Sequence, residues 1–232
     1  MTENSSAESI KERVERIQSQ IVDTCRQCGR DPSNVTLMAV TKTVPAELVN
    51  EAIDAGISLL GENRAQELLQ KFESYRLPAE QIHFIGHLQT NKVRQIIDKV
   101  GMIESVDSLK LAKEIDHCSA AHGKIMEILL EVNLAREVSK SGVLPEKIDE
   151  VLEGISSLSH LKLRGIMVIP PVLEGARYFE QAEKLLIDIQ GKKLDNRNVN
   201  ILSMGMSSDY LEAIRFGSTV VRIGRGLFGE RH

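Results

Sequence analysis

Lys42 is the side chain of this sequence that could most simply form a covalent bond with a ligand. It follows residues 35–40, an apolar run that is typical of a buried strand. Desolvation at the end of a strand favours the neutral amine of a lysine, which can attack an aldehyde and form an imine. The alternative is a lysine at the rim whose ammonium stays in water. Lys42 taken alone does not decide between the two.

Two glycine-containing segments could bind an anion such as phosphate. Residues 205–209 combine a glycine with serine hydroxyls, Ser207 among them, at the expected start of a helix. Backbone N–H groups and the helix dipole favour negative charge there. Gly224 and Arg225 follow the last apolar run and would supply further backbone donors. The first segment could equally be an ordinary helix N-cap.

Arg222 ends the last apolar run. If the first and last strands are neighbours, its guanidinium would face a ring held by Lys42. A guanidinium beside a pyridine nitrogen donates a hydrogen bond and resists protonation of that nitrogen, so the ring is a weaker electron sink. The alternative is a salt bridge to a carboxylate such as Glu62.

Composition excludes several classes of protein. The 232 residues are 42% hydrophobic and 27% charged, which is typical of a soluble globular protein. The net charge of −4 and the lack of a basic block argue against nucleic-acid binding. No apolar run is long enough to span a membrane, and residues 1–8 are polar and acidic rather than a signal sequence. We therefore expect a cytoplasmic protein.

Cysteine and histidine spacing does not predict a metal site. There are three cysteines, and the Cys25–Cys28 pair has no second CxxC to accompany it. The six histidines show no metal-binding spacing. We expect neither a disulfide framework nor a bound metal.

The elements that must position these residues alternate along the chain. Strands are predicted at residues 35–40, 57–61, 82–86, 102–106, 126–133, 161–169, 200–204 and 219–224. Helices are predicted between them at residues 46–55, 64–75, 91–100, 108–121, 145–156, 176–190 and 209–216. Alternation of this kind indicates a parallel sheet, and eight units favour a (β/α)8 TIM-type barrel. A doubly wound open sheet is the alternative fold.

The barrel prediction has two further parts. Residues 6–30 form an amphipathic pattern that predicts an extra N-terminal helix, and residues 1–232 are expected to be a single domain. In a barrel the residues that follow the strands meet at one mouth, where function gathers. Lys42, Arg222 and the two anion-binding segments would meet there.

Several longer motifs occur in a fixed order. They are AVTKT at 39–43, GENR at 61–64, FIGHLQTNK at 84–92, KSG at 140–142, GIM at 165–167, LSMGMSSD at 202–209 and VRIG at 221–224. With these motifs the chain resembles the pyridoxal phosphate homeostasis protein family. The fold of that family is related to the amino-terminal barrel of alanine racemase. The resemblance covers nearly the whole chain.

The resemblance implies a cofactor, pyridoxal 5′-phosphate (PLP), held as a Schiff base on Lys42. It implies seven cofactor-binding residues: Lys42, Asn63, Met204, Ser207, Arg222, Gly224 and Arg225. Arg222 would lie near the pyridine nitrogen, and Ser207 with the backbone of residues 224–225 would contact the phosphate. Asn63 and Met204 would lie near the ring. The chain departs from the family pattern at Glu131, where glutamine is expected, and at Val44, where many members have a polar residue.

The same resemblance indicates a binding protein without catalytic residues. Alanine racemases use a second base, a tyrosine from a carboxyl-terminal domain, whereas this sequence ends at His232 soon after the eighth strand. None of Tyr75, Tyr178 and Tyr210 is an obvious second base. We expect a monomer that binds PLP reversibly, limits the free aldehyde and passes it transiently to PLP-dependent apoenzymes.

Two other functions stay open on the sequence. One is a one-domain PLP-dependent amino-acid racemase, and the other is a barrel that binds a sugar phosphate without PLP. Lys92 and Lys140 could each contact a phosphate or a carboxylate at the rim, or could be solvated surface lysines.

Overall fold

A closed parallel barrel is the centre of the fold. The computed structural model describes residues 8–171, 174–192 and 198–229. Within them the strands are β1 Thr36–Val40, β2 Leu60–Glu62, β3 Ile82–Phe84, β4 Met102–Val106, β5 Met126–Val132, β6 Leu161–Val168, β7 Ile201–Ser203 and β8 Val220–Ile223. They pair in chain order, and β1 also pairs with β8. The (β/α)8 prediction is confirmed, and the open sheet is excluded because the first and last strands are hydrogen bonded.

One helix precedes β1, and a helix follows each strand on the outside of the barrel. They are α1 Ile10–Gln27, α2 Ala46–Asp54, α3 Ala65–Lys71, α4 Thr90–Ile96, α5 Leu109–Ala121, α6 Ile148–Ser156, α7 Gly175–Gly191, α8 Tyr210–Arg215 and α9 Arg225–Phe228. The short helix α9 was not predicted, since the sequence pattern assigned Gly224 and Arg225 to a loop. The β2 prediction began three residues too early. Ile57 still donates its amide to Ala52 at the end of α2, so pairing with β1 starts only at Leu60.

The extra N-terminal helix is confirmed as α1, within the predicted range 6–30, of which residues 6 and 7 lie outside the described residues. Ser9 and Glu12 form a capping box at its start. Arg30, just after the helix, donates to the carbonyl oxygen of Ser218 at 2.8 Å, beyond the carboxyl end of α8. No helix in the described part of the chain is long and apolar enough to cross a membrane.

The hydrophobic core has two layers, because neighbouring residues of a strand point to opposite faces. Leu37 and Ala39 of β1 belong to a large cluster between the strands and the helices, whereas Met38 belongs to a smaller cluster inside the barrel. Its members are Met38, Leu59, Ile85, Met102, Leu129, Met167 and Val220. The barrel interior is therefore filled by aliphatic and methionine side chains, and the polar groups described below share that interior.

Candidate functional site at the carboxyl ends of the strands

Lys42 and the segment after β8 line the same cavity. The cavity has a volume of about 300 Å³ and is lined by Lys42, Gly224, Arg225 and Phe228, among others. The register pairs Ala39 of β1 with Ile223 of β8, so the residues that follow the two strands lie side by side. The structure thus brings together three of the predicted binding residues.

Arg222 is buried on β8 and donates to two neutral groups. Its Nη1 atom lies 2.8 Å from Ser203 Oγ, and its Nη2 atom lies 3.0 Å from the carbonyl oxygen of Val168. Burial lowers the pKa of Arg222, while the nearby carboxyl groups of Glu104 and Glu131 oppose that shift. Because a guanidinium has five N–H donors, these two hydrogen bonds leave further donors for a ligand.

The carboxylate of Glu104 links Arg222 to the opposite wall of the barrel. Ser203 donates to Glu104 Oε2 at 2.6 Å, and His83 Nδ1 lies 2.7 Å from Glu104 Oε1. Burial opposes ionisation of Glu104, but the hydrogen bond and charge of His83, with the charge of Arg222, outweigh it and hold the pKa of this carboxyl below its usual range. Sequence reasoning missed this network. The signal in the sequence was one or two polar residues within each of these otherwise apolar strands.

Glu62 is not the partner of Arg222, contrary to the alternative considered from the sequence. Its Oε1 atom accepts from Thr41 Oγ1 at 2.7 Å and from the Tyr75 hydroxyl, and it pairs with Lys71 Nζ at 3.0 Å. These partners come from the turn after β1 and from α3 and the turn that follows it. The two buried charges, Arg222 and Glu62, therefore belong to separate networks.

The two predicted anion-binding segments touch each other through Ser207. Its hydroxyl accepts from the backbone N–H of Gly226 at 3.2 Å, which joins the segment before α8 to the segment after β8. Gly205 starts the first segment with φ of 92°, where a Cβ atom would lie 2.6 Å from Ala213 Cβ. Asp209 accepts from the Met206 amide at 2.6 Å and makes no side-chain cap for α8. The segment is thus a specific turn with a glycine requirement, and not a simple N-cap.

Asn63 follows β2 at the level at which Lys42 follows β1, and it lines a second cavity. The register pairs Val40 with Gly61, so Lys42 and Asn63 are each two residues beyond a paired position. Asn63 lines a cavity of about 210 Å³ together with Glu131 and Lys140. The Asn63 Oδ1 atom is buried and has no hydrogen-bond partner among the residues that the structure describes. It is an acceptor that a ligand donor could satisfy.

Glu131 is an acidic residue of this second cavity, and its pKa is strongly shifted. The residue is 7% exposed, and burial, with a smaller effect of Asp107, raises its pKa to about 7, against the lowering effect of Arg222. Lys140 donates to Glu137 Oε1 at 2.8 Å at the rim. One of the two residues that were expected to depart from the family pattern therefore lines this cavity, with a pKa raised to about 7.

Met204 and Lys92 lie elsewhere. Met204 is fully buried in the large cluster between strands and helices, and it lines neither of the two cavities. Lys92 lies in the first turn of α4. A role for the Met204 side chain beside a ring stays a prediction from the resemblance.

Comparison with known proteins identifies alanine racemase barrels as similar to this chain. The family of alanine racemase N-terminal domains matches residues 13–232. A structure of alanine racemase from Corynebacterium glutamicum is 14% identical with a TM-score of 0.65, and covers 94% of this chain and 61% of that one. At that identity the likeness shows a shared fold.

More similar proteins match over nearly all of their length. The pyridoxal phosphate homeostasis protein of Aquifex aeolicus is 40% identical over 228 residues, which are 95% of this chain and 97% of the relative. That of Escherichia coli K12 is 37% identical over 226 residues, 96% and 97% of the two chains. The structure of PipY from Synechococcus elongatus with PLP bound is 33% identical with a TM-score of 0.81, and covers 95% of this chain and all of that one. This chain belongs to the pyridoxal phosphate homeostasis protein family.

Proposed function

We propose that this protein binds pyridoxal 5′-phosphate covalently through Lys42 and serves the homeostasis of that cofactor. The observation that carries the proposal is the shared cavity of Lys42, Gly224 and Arg225, together with the buried Arg222 of β8, two residues before Gly224. The relatives support it, since two of them at 37–40% identity carry the homeostasis name and PipY has a PLP-bound structure. Its monomeric state, its location in the cytoplasm and transfer to apoenzymes stay predictions.

The residues of the site fit the chemistry of this cofactor. Lys42 would hold it, Arg222 would donate to the pyridine nitrogen, and Ser207 with the backbone of residues 224–225 would hold the phosphate. The buried Asn63 Oδ1 atom offers an acceptor for a donor of the ligand. When bound, the cofactor would supply an aldehyde for the Lys42 amine and a ring that withdraws electrons, weakly so beside an arginine.

The positions of two tyrosines support binding rather than turnover. A racemase needs a second base next to the reacting carbon. The hydroxyl of Tyr75 donates to Glu62, and that of Tyr210 donates to Gln20 on α1 at 2.6 Å. Both hydroxyls are thus engaged with groups outside the cavity of Lys42. The one-domain racemase predicts transfer of solvent deuterium to the α-position of an amino acid, which mass spectrometry would detect.

The absorption spectrum with and without Lys42 tests the proposal. We expect the wild type to acquire a visible band on addition of PLP and the Lys42→Ala variant to lack it. Borohydride reduction followed by peptide mass analysis should place the adduct on Lys42. A Lys113→Ala variant, which removes an exposed lysine of α5, is the control and should keep the band. A wild type without the band, or a Lys42→Ala variant that keeps it, would overturn the proposal and favour a sugar-phosphate site or another lysine.

A further inference from the structure

The turn that carries Lys42 has an unusual backbone. Residues 41–44 close through a hydrogen bond from the Val44 amide to the Thr41 carbonyl oxygen at 3.1 Å. Thr43, directly after Lys42, has φ of 61°, a left-handed conformation that is an outlier for a β-branched residue. Such a conformation persists only where surrounding contacts hold it.

Lys71, at the carboxyl end of α3, spans this turn. Its Nζ atom donates to the carbonyl oxygen of Thr41 at 2.9 Å and lies 3.5 Å from that of Val44. The side chain is 15% exposed. One ammonium group therefore contacts both ends of the turn, on either side of Lys42.

Glu67, one helical turn before Lys71, holds the middle of the turn. Its Oε2 atom accepts from the Thr43 amide at 2.8 Å and lies 3.6 Å from Lys71 Nζ. The hydrogen bond satisfies the backbone donor of the strained residue. It therefore offsets part of the cost of the left-handed conformation.

Glu62 is the third charged residue at this turn, and with Glu67 and Lys71 it forms a cluster. It is fully buried, it accepts from the Thr41 hydroxyl at 2.7 Å, and it pairs with Lys71 at 3.0 Å. A buried carboxylate requires a nearby cation, so Glu62 fixes where the Lys71 ammonium can lie. The three charged residues come from one run of ten, 62–71, and all of them contact residues of the turn that flank Lys42.

We propose that Glu62, Glu67 and Lys71 are positioning residues that hold the turn of residues 41–44 in the conformation that presents the Lys42 amine to its ligand. The identity of the ligand rests on the proposed function, whereas the role of the three residues in holding the turn does not. Misplacement of a reacting group by about 1 Å can slow a reaction on the order of a hundredfold. Loss of the cluster should therefore slow loading of Lys42.

Hydrogen exchange of the protein without PLP tests the holding of the turn. In Glu67→Ala the Thr43 amide loses its acceptor, and we expect its exchange to become about tenfold faster. Lys71→Met should have the same effect, but it also leaves Glu62 without its cation. If Lys71→Met fails to fold for that reason, the result for Glu67→Ala decides the test. Lys124→Met is the matched control. Lys124 donates to the carbonyl oxygens of Ile97 and Val100 at 2.9 and 3.1 Å, away from Lys42.

The rate at which PLP reacts with Lys42 tests the consequence. We expect Glu67→Ala to load about tenfold or more slowly than the wild type. Glu67→Gln, which keeps an oxygen that can accept from Thr43, should recover most of the loss, and Lys124→Met should load at the wild-type rate. The proposal is overturned if Glu67→Ala exchanges Thr43 at the wild-type rate, or if it exchanges faster but loads Lys42 normally. If the wild type takes up no PLP at Lys42, the proposed function fails, and the exchange of Thr43 alone decides on the cluster.

Discussion

The guanidinium of Arg222 donates to the hydroxyl of Ser203 at 2.8 Å, between the neighbouring strands β8 and β7. The same hydroxyl donates to Glu104 on β4, across the interior of the barrel. A neutral hydroxyl therefore stands between a buried cation and a buried carboxylate. It lets the carboxylate compensate the charge of Arg222 while the guanidinium stays at the carboxyl end of its strand.

Ser203→Ala should destabilise the protein, because it removes one partner from each of two buried charged groups. We expect a loss of about 1–3 kcal/mol in the free energy of unfolding, measured in urea without cofactor. Ser105→Ala is the control. Its hydroxyl is buried on β4 with no hydrogen-bond partner in the described part of the chain, so its removal should cost little. Equal losses in the two variants would show that the hydroxyl of Ser203 is not a structural link.

Glu131→Gln should change how stability depends on pH. The pKa of Glu131 is raised from 4.5 to about 7 in the folded protein, so the folded state keeps a proton that the unfolded state loses. The stability that this proton contributes is present below pH 4.5 and is lost as the pH rises to about 7. Glutamine cannot lose a proton. The variant should therefore gain stability relative to the wild type over this range, by at most about 3 kcal/mol.

Urea unfolding of the wild type and of Glu131→Gln, both without PLP, measures that difference. We expect it to grow between about pH 5 and about pH 7 and then to stay constant, because above its folded-state pKa the carboxyl is ionised in both states. A difference that does not vary with pH would mean that Glu131 titrates at its ordinary value.

The position of Lys42 could be predicted because strand β1 is visible in the sequence. Its apolar run ends abruptly at Val40, and the residues after a parallel strand lie at the functional mouth. The pairing of β1, which precedes Lys42, with β8, which carries Arg222, then followed from barrel closure, which eight alternating units implied. Local periodicity and element count were sufficient for that part of the site.

The partners of the buried charges could not be predicted in the same way. Glu104 and Ser203 are 99 residues apart, and their contact depends on how the strands are staggered around the barrel. Glu62 was considered as a partner of Arg222, but β2 has only three residues, too few for a period of two to show which face Glu62 occupies. Pairing across the barrel is a property of the closed sheet and not of any one segment.

Gly165→Ala should be strongly destabilising because strands β6 and β7 approach closely there. A Cβ atom at Gly165 would lie 1.8 Å from the carbonyl oxygen of Ile201, which is backbone and has little freedom to shift. We expect a loss of about 3 kcal/mol or more in the free energy of unfolding. Gly191→Ala, at the end of α7 with no atom within 4 Å of the added carbon, should be near neutral. A mild effect at Gly165 would mean that the two strands can separate.

Ser207→Ala tests whether the segments joined by Ser207 bind phosphate. Its hydroxyl lies 3.2 Å from the Gly226 amide, so a phosphate oxygen bound by the hydroxyl would also lie close to that amide. We expect the variant to bind PLP about tenfold more weakly, the loss of one hydrogen bond to a charged group, and to bind pyridoxal, which has no phosphate, like the wild type. Ser208→Ala, at the exposed neighbouring position, is the control for both titrations. Equal weakening for PLP and pyridoxal would assign Ser207 to the fold of the loop, because only a phosphate contact distinguishes the two ligands.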